Sequence, residues 1–263
     1  EKIITKDPVA ALDELTENAA IYAGIILNKT DTLSDEQRES YLDLQRVQGA
    51  PSYLFIMYLI KHQESLGVTD EDVVKICKLL VNFFIRRNLT DTPPTRDLTR
   101  IFMSFIEATE QNEYRGADIY TNMRDTLISV SASDEFFEEK LRGPVYDDNS
   151  GATRVILCMM AKRGMTRENV QDLWRKTNSN QYVWSIEHIF PQGPNIPDSW
   201  VDMIAGGDRE KAKEYQSLYV HTFGNLTITG YNKAFNEKKE RKDNNGQYIG
   251  YRNGLNLNDD VCD

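Results

Sequence analysis

One histidine lies beside a carboxylate in a segment whose residue types suit hydrolysis. His188 directly follows Glu187 in the segment IEHIFPQ, residues 186–192. A neutral imidazole can accept a proton from water, and a carboxylate oxygen is a ligand that Mg²⁺ and Mn²⁺ prefer. Neighbouring side chains on a strand point to opposite faces, but Pro191 ends the strand, where the backbone can turn both groups toward one site. His62, at the end of an apolar run, is interpreted as a solvated residue at a helix end.

A second motif follows downstream: residues 223–232 read FGNLTITGYN, and residues 235–239 read FNEKK. With the first segment, it resembles the HNH or His-Me finger nucleases, in which an acidic residue, His, an aliphatic residue and Pro form the first strand of a ββα-metal module. The whole is similar to the C-terminal nuclease domain of GmrSD-type modification-dependent restriction endonucleases. The helical segment 83–90 also resembles the region that precedes the nuclease motifs in those proteins, and the resemblance is specific over residues 182–239.

The resemblance implies a role for each matching residue. His188 would be the general base that activates water for attack on a phosphodiester, and Asn225 would hold the His188 ring through a backbone or side-chain hydrogen bond. Glu187 and Asn232 would bind a divalent cation, Mg²⁺ or Mn²⁺. The run between the Gly-Asn-Leu residues 224–226 and the Phe-x-x-Lys residues 235–238 is shorter here than in many relatives. Asn232 could therefore match either of two asparagines in those relatives, and Asn236 is a second candidate for the metal ligand.

The helix expected over residues 232–242 has a basic face that suits a DNA backbone. The resemblance places Lys238 and Lys239 near the scissile phosphate, and Lys233 extends the same basic helix. His221 is a further candidate for DNA binding, but a place at the start of the second strand is the favoured alternative.

The elements that must position these residues change in character along the chain. Up to about residue 178, apolar residues recur at helical spacing, with helix starts at Asp7, Ser34 and Thr69 and further helices that include 151–163 and 167–176. Beyond that point the pattern predicts, in order, a strand, a long loop, a short charged helix, a second strand and the basic helix. The predicted fold is therefore mainly α: a multi-helix domain over residues 1–178, followed by a small α+β ββα-metal nuclease module over residues 179–263.

Composition limits the class of protein and its partners. The 263 residues carry a formal net charge of -10, which by itself disfavours binding to nucleic acid. However, residues 1–150 hold 27 acidic and 16 basic side chains, so the acidic excess belongs to the helical half. The three cysteines form no metal-binding or disulfide pattern, which indicates a reducing cytoplasm. No apolar run reaches the roughly 18 residues of a membrane span.

Two functions from different classes fit this sequence. In the first, the chain is the catalytic part of a bacterial defence endonuclease that cuts or nicks phage or other foreign DNA, with modified DNA as the expected target. In the second, it is a helical scaffold whose nuclease module is inactive or held off. No Walker-type phosphate loop occurs, so this segment is expected to bind no nucleotide. Because the chain begins at Glu1, we expect a preceding sensor or NTPase-like segment, and a homo-oligomer is also compatible with the sequence.

Overall fold

The computed structural model describes residues 7–28, 33–166 and 168–230. These residues are mainly helical and contain one two-stranded sheet, which confirms the predicted helical class. The third element of the expected ββα module, the basic helix over residues 232–242, lies outside the described residues. No helix among the described residues is long and apolar enough to span a bilayer.

The chain divides into two compact units between Asp134 and Glu135. This division lies earlier in the chain than residue 178, where the sequence pattern places the boundary between the two domains. The reason is a long helix, Val145–Arg163, that packs on the second strand of the sheet and so belongs with the predicted nuclease module.

The first unit is entirely helical in its described part. Its helices are α1 (Pro8–Leu27), α2 (Asp35–Arg46), α3 (Tyr53–Lys61), the single turn α4 (Gln63–Leu66), α5 (Asp70–Thr90), α6 (Thr95–Gln111) and α7 (Ala117–Val130).

All three predicted helix starts are confirmed. Asp7 accepts a hydrogen bond from the Ala10 amide, and Ser34 and Thr69 each form a reciprocal capping box with the third residue of their helix. Such caps satisfy amide groups that have no partner within the helix. The core of this unit includes Phe84 of α5, which stacks on Phe102 of α6 with ring centres 6.2 Å apart.

The second unit combines helices with the sheet. In chain order it contains most of α8 (Asp134–Arg142), then α9 (Val145–Arg163), β1 (Ser185–His188), α10 (Asp198–Ala205), α11 (Arg209–Tyr219) and β2 (Leu226–Thr229). The strands are antiparallel, with Ser185 opposite Thr229 and His188 opposite Leu226.

The sheet has one apolar face and one polar face because side chains alternate along each strand. Ile186, Leu226 and Ile228 pack in a cluster with residues of α9 and with Leu173. The other face carries Ser185, Glu187, Thr227 and Thr229, and both threonines are fully buried. His188 pairs with Leu226 and so lies on the apolar face.

The predicted helix over residues 167–176 is wrong, because the described part of that segment forms turns. The cause lies in tertiary packing. The buried Arg154 guanidinium of α9 donates to the Leu173 carbonyl at 2.6 Å and stacks over the rings of Trp174 and Tyr182. A carbonyl that accepts from Arg154 and two rings gathered around one guanidinium bind this segment to α9 in a turn conformation.

Candidate active site

His188 is a buried polar residue at the end of β1. Only 7% of its surface is exposed. The hydrogen-bond ladder continues one residue further, because the Ile189 amide donates to the Asn225 carbonyl at 2.9 Å. His188 is therefore held in regular strand geometry on both sides, and its ring points to the face where β2 packs on α9.

Asn225 fixes the chain that follows His188. Its Oδ1 accepts from the Phe190 amide at 2.6 Å, while its Nδ2 donates to the carbonyls of Phe190 at 3.1 Å and Val220 at 2.8 Å. The side chain is buried, and these three bonds go to main-chain groups. Asn225 thus positions His188 through the backbone of the next two residues. Within the described residues it forms no hydrogen bond to the His188 ring itself, which the sequence suggested, and that ring contacts His221 instead.

The segment after His188 is also held from its other side. Phe190 packs with Val201 of α10 and Ala212 of α11 in a small buried cluster. From α11, Gln216 Nε2 donates to the Pro191 carbonyl at 2.6 Å. Helix α10, which begins just after Pro197 and was not predicted, therefore helps to anchor the site.

The described structure brings His188 and His221 together. His188 Nε2 lies 3.2 Å from His221 Nδ1, and the two rings are nearly perpendicular. On the far side of His221, its Nε2 lies 3.5 Å from the Asp147 carboxylate, an electrostatic contact longer than a good hydrogen bond. The three side chains form a row, which we call the His188–His221–Asp147 row.

Tyr146 packs against both histidines. Its ring stacks on His221 with 5.6 Å between ring centres and meets the His188 ring edge-on at 4.7 Å. Its backbone amide also donates to the His221 carbonyl at 3.1 Å. One residue therefore fixes the orientation of both rings.

Tyr146 and Asp147 lie in the first turn of α9, which a kink separates from the rest of the helix. Asn149 departs from helical geometry, and its side chain accepts from the Ala152 amide at 2.9 Å, so that it caps the continuing helix. The buried Thr153 hydroxyl donates to the Val145 carbonyl at 2.8 Å and ties the turn to the helix body. The predicted helix over residues 151–163 matches this second segment.

Burial favours the neutral forms of both His188 and Glu187, and it shifts the pKa values of the two groups in opposite directions. Desolvation, assisted by the nearby His221, lowers the pKa of His188 to about 4, against the opposing effect of Asp147. His188 is therefore neutral at pH 7, and one of its two ring nitrogens carries a lone pair in place of a proton. Desolvation raises the pKa of the Glu187 carboxyl above its usual value.

Glu187 and His188 lie on opposite faces of the sheet. Glu187 pairs with Thr227, and the regular ladder on both sides of His188 preserves the alternation of side chains. The described structure thus does not turn the two groups toward one face, as the sequence suggested for a strand end. Glu187 is half-buried, and within the described residues no cation or hydrogen-bond donor contacts its carboxylate.

The chemistry of Glu187 fits one ligand of a divalent cation. A desolvated carboxylate without a counter-charge among the described residues gains from binding a cation. Residues 7–28, 33–166 and 168–230 contain no group of three or more His, Cys, Asp and Glu side chains that could hold a metal ion. Asn232 and Asn236, the predicted further ligands, lie outside the described residues.

The predicted DNA-binding lysines, Lys233, Lys238 and Lys239, also lie outside the described residues. His221 lies ahead of the 3-10 turn Phe223–Asn225 that precedes β2, and not at the start of the strand. It contacts His188, which the sequence did not suggest. Tyr146 and Asp147 were missed altogether. A Tyr-Asp pair after Gly143-Pro144 carries no sequence signal that links it to a histidine more than 40 residues away.

Comparison with known proteins identifies the second unit. No curated protein and no solved structure matches the chain. Residues 131–261, about half of the chain, match the family model described as "GmrSD restriction endonucleases, C-terminal domain". This match includes every residue of the His188–His221–Asp147 row and both sequence motifs. The chain therefore belongs, through this C-terminal domain, to the GmrSD restriction endonuclease family.

Proposed function

We propose that this protein is a metal-dependent endonuclease of the HNH type that hydrolyses phosphodiester bonds of DNA. The observation that carries the proposal is the buried, neutral His188 at the end of β1, in a domain of a restriction endonuclease family. A rigidly held imidazole that is neutral at pH 7 has one unprotonated ring nitrogen, which is the atom that a general base needs.

In this proposal His188 removes a proton from a water molecule. The resulting hydroxide attacks phosphorus, and the bond from phosphorus to the leaving oxygen breaks. With a pKa of about 4, His188 alone is a weak base. An anionic phosphodiester beside the ring favours the protonated imidazole, so bound DNA raises the basicity of His188 at the moment it is needed.

Glu187 and His188 are the last two residues of β1 and lie on opposite faces of the sheet. The proposal therefore requires a phosphodiester that lies across the end of this strand, between the two side chains. A divalent cation, Mg²⁺ or Mn²⁺, held by Glu187 with Asn232 or Asn236, would neutralise charge on the phosphate and stabilise the leaving oxygen. Lys233, Lys238 and Lys239 would hold the DNA backbone nearby.

The biological role proposed here is defence against phage or other foreign DNA, with modified DNA as the preferred target. Membership of a family of restriction endonucleases supports this proposal. Because the helical half carries the acidic excess, recruitment to DNA would depend on a further sensor or NTPase-like segment rather than on residues 1–150. A cytoplasmic location would give access to incoming DNA.

Cleavage of supercoiled plasmid tests the proposal. Purified protein with Mg²⁺ or Mn²⁺ should convert supercoiled DNA to nicked or linear forms, and EDTA should abolish the conversion. His188→Ala should remove activity, whereas the control His62→Ala changes an exposed histidine of the first unit and should retain it. Comparison of unmodified with modified phage DNA would then test the target. Plasmid left intact over a protein concentration series with either metal would instead favour the scaffold function.

A further inference from the structure

The direction of the hydrogen bond between His188 and His221 decides which His188 nitrogen can act. A neutral imidazole carries one proton, so one ring nitrogen donates and the other accepts. If His221 Nδ1 donated to His188 Nε2, the His188 proton would lie on Nδ1, and neither nitrogen could readily take a proton from water. If His188 Nε2 donates instead, its Nδ1 lone pair stays available.

The surroundings of His221 favour the second arrangement. The Asp147 carboxylate can only accept, and it lies 3.5 Å from His221 Nε2. A proton on His221 Nε2 is therefore favoured over a lone pair facing the carboxylate, and in neutral His221 this leaves Nδ1 as an acceptor. His221 Nδ1 is the atom 3.2 Å from His188 Nε2.

The side chains of the His188–His221–Asp147 row are held in place, so the position of the proton on His221 can set the direction of its hydrogen bond with His188. Tyr146 packs on both imidazole rings and holds the His221 backbone, while Thr153 fixes the turn that carries Tyr146 and Asp147. Asp147 is the weakest part, because its side chain is 61% exposed and solvent screens its charge.

We propose that His221 accepts a hydrogen bond from His188 Nε2–H and that Asp147 favours this arrangement, so that His188 Nδ1 takes the proton from water. His221 and Asp147 are thus positioning residues for the general base. This inference rests on the proposed function of His188. In the reaction, an O–H bond of water breaks as the Nδ1–H bond forms, and the hydroxide goes to phosphorus.

Nitrogen-15 NMR of the histidine side chains tests the hydrogen-bond direction without any cleavage. The chain has only three histidines, and the variant His62→Gln assigns the one outside the row. In full-length protein at pH 7.5, His188 should show a protonated, pyrrole-type Nε2 and an unprotonated, pyridine-type Nδ1, and His221 should show an unprotonated Nδ1. The reverse pattern, with His188 Nδ1 protonated, would overturn the inference.

Cleavage rates test the consequence for activity. His221→Phe keeps a ring to stack on Tyr146 but removes the acceptor, and it should slow single-turnover plasmid cleavage by on the order of 100-fold because the general base loses its orientation. His221→Asn offers an amide oxygen near the position of Nδ1 and should cleave at least about tenfold faster than the Phe variant. Asp147→Asn should cost about fivefold or less, as expected for an exposed charge.

Two outcomes count against the inference in different ways. A folded His221→Phe protein that cleaves within about twofold of the wild-type rate, or Phe and Asn variants of equal rate, would overturn it while leaving the proposed function intact. A His188→Ala protein that cleaves normally would instead refute the proposed function, and the NMR pattern would still report the direction of the hydrogen bond.

Discussion

Truncation of Asn225 should loosen the end of the sheet that carries His188. The change Asn225→Ala removes three buried hydrogen bonds and leaves the Phe190 amide and the carbonyls of Phe190 and Val220 without these partners. At about 1 kcal/mol of net stability for each bond, the expected loss is about 3 kcal/mol. Because a domain is stable by only about 5–15 kcal/mol, this loss would be readily measured.

Intrinsic tryptophan fluorescence reports the unfolding of the second unit, which contains Asn225. All three tryptophans, Trp174, Trp184 and Trp200, belong to the second unit. Urea titration followed by this signal should give a lower midpoint for Asn225→Ala with an unchanged slope. The matched control Asn195→Ala changes an exposed asparagine of the same unit and should be neutral within about 0.5 kcal/mol.

The variant Asn225→Asp separates hydrogen bonding from shape. One carboxylate oxygen can still accept from the Phe190 amide, but the other would face two carbonyl oxygens in place of the Nδ2 donor. Burial and this repulsion would raise the folded-state pKa of the new carboxyl above its unfolded value of about 3.9. The destabilisation should therefore grow as pH rises above about 4. A loss below about 1 kcal/mol for both variants at pH 7 would refute the assigned role of Asn225.

Three further changes test other parts of the fold. Arg154→Ala should destabilise the second unit by about 3 kcal/mol, seen in urea titration, because the Leu173 carbonyl loses its donor and two rings lose their packing partner; a neutral result would contradict the explanation for the turn at residues 168–176. Burial raises the pKa of the Cys77 thiol to about 12, so iodoacetamide at pH 8 should label Cys77 only after unfolding, as mass spectrometry would detect. Thr69→Ala should cost about 1 kcal/mol in thermal or urea unfolding followed by circular dichroism, through loss of the capping box of α5, and no change would show that this cap is dispensable.

Capping motifs and strand patterns in the sequence predicted the elements that they mark. The caps at Asp7, Ser34 and Thr69 were found because a cap needs only residues within one helical turn. The two strands were also found, but they are shorter than the runs 181–189 and 223–229 that the sequence pattern predicts. A 3-10 turn over Phe223–Asn225 replaces the start of the second strand. That turn allows Asn225 to reach both Phe190 and Val220, which is a requirement of the site and not of strand propensity.

Long-range features were the ones that the sequence could not supply. The turn at residues 168–176 depends on Arg154, and the surroundings of His188 depend on Tyr146 and Asp147, all far away in the chain. None of these residues repeats with a period or belongs to a recognisable spacing. Only packing of α9 on β2 brings them to the motif residues.

Burial acts on both titratable residues at the end of β1, and its two effects are complementary. It lowers the pKa of His188, which keeps the imidazole neutral and able to accept a proton at pH 7. It raises the pKa of Glu187, whose carboxylate then gains more from a positive partner than an exposed carboxylate would. Each group is thus left without the charge partner that binding would bring, an anionic phosphate for His188 and a cation for Glu187. The strand end is therefore better suited to binding and chemistry than to stabilising the fold, and replacing Glu187 with Gln should raise rather than lower the stability of the metal-free protein.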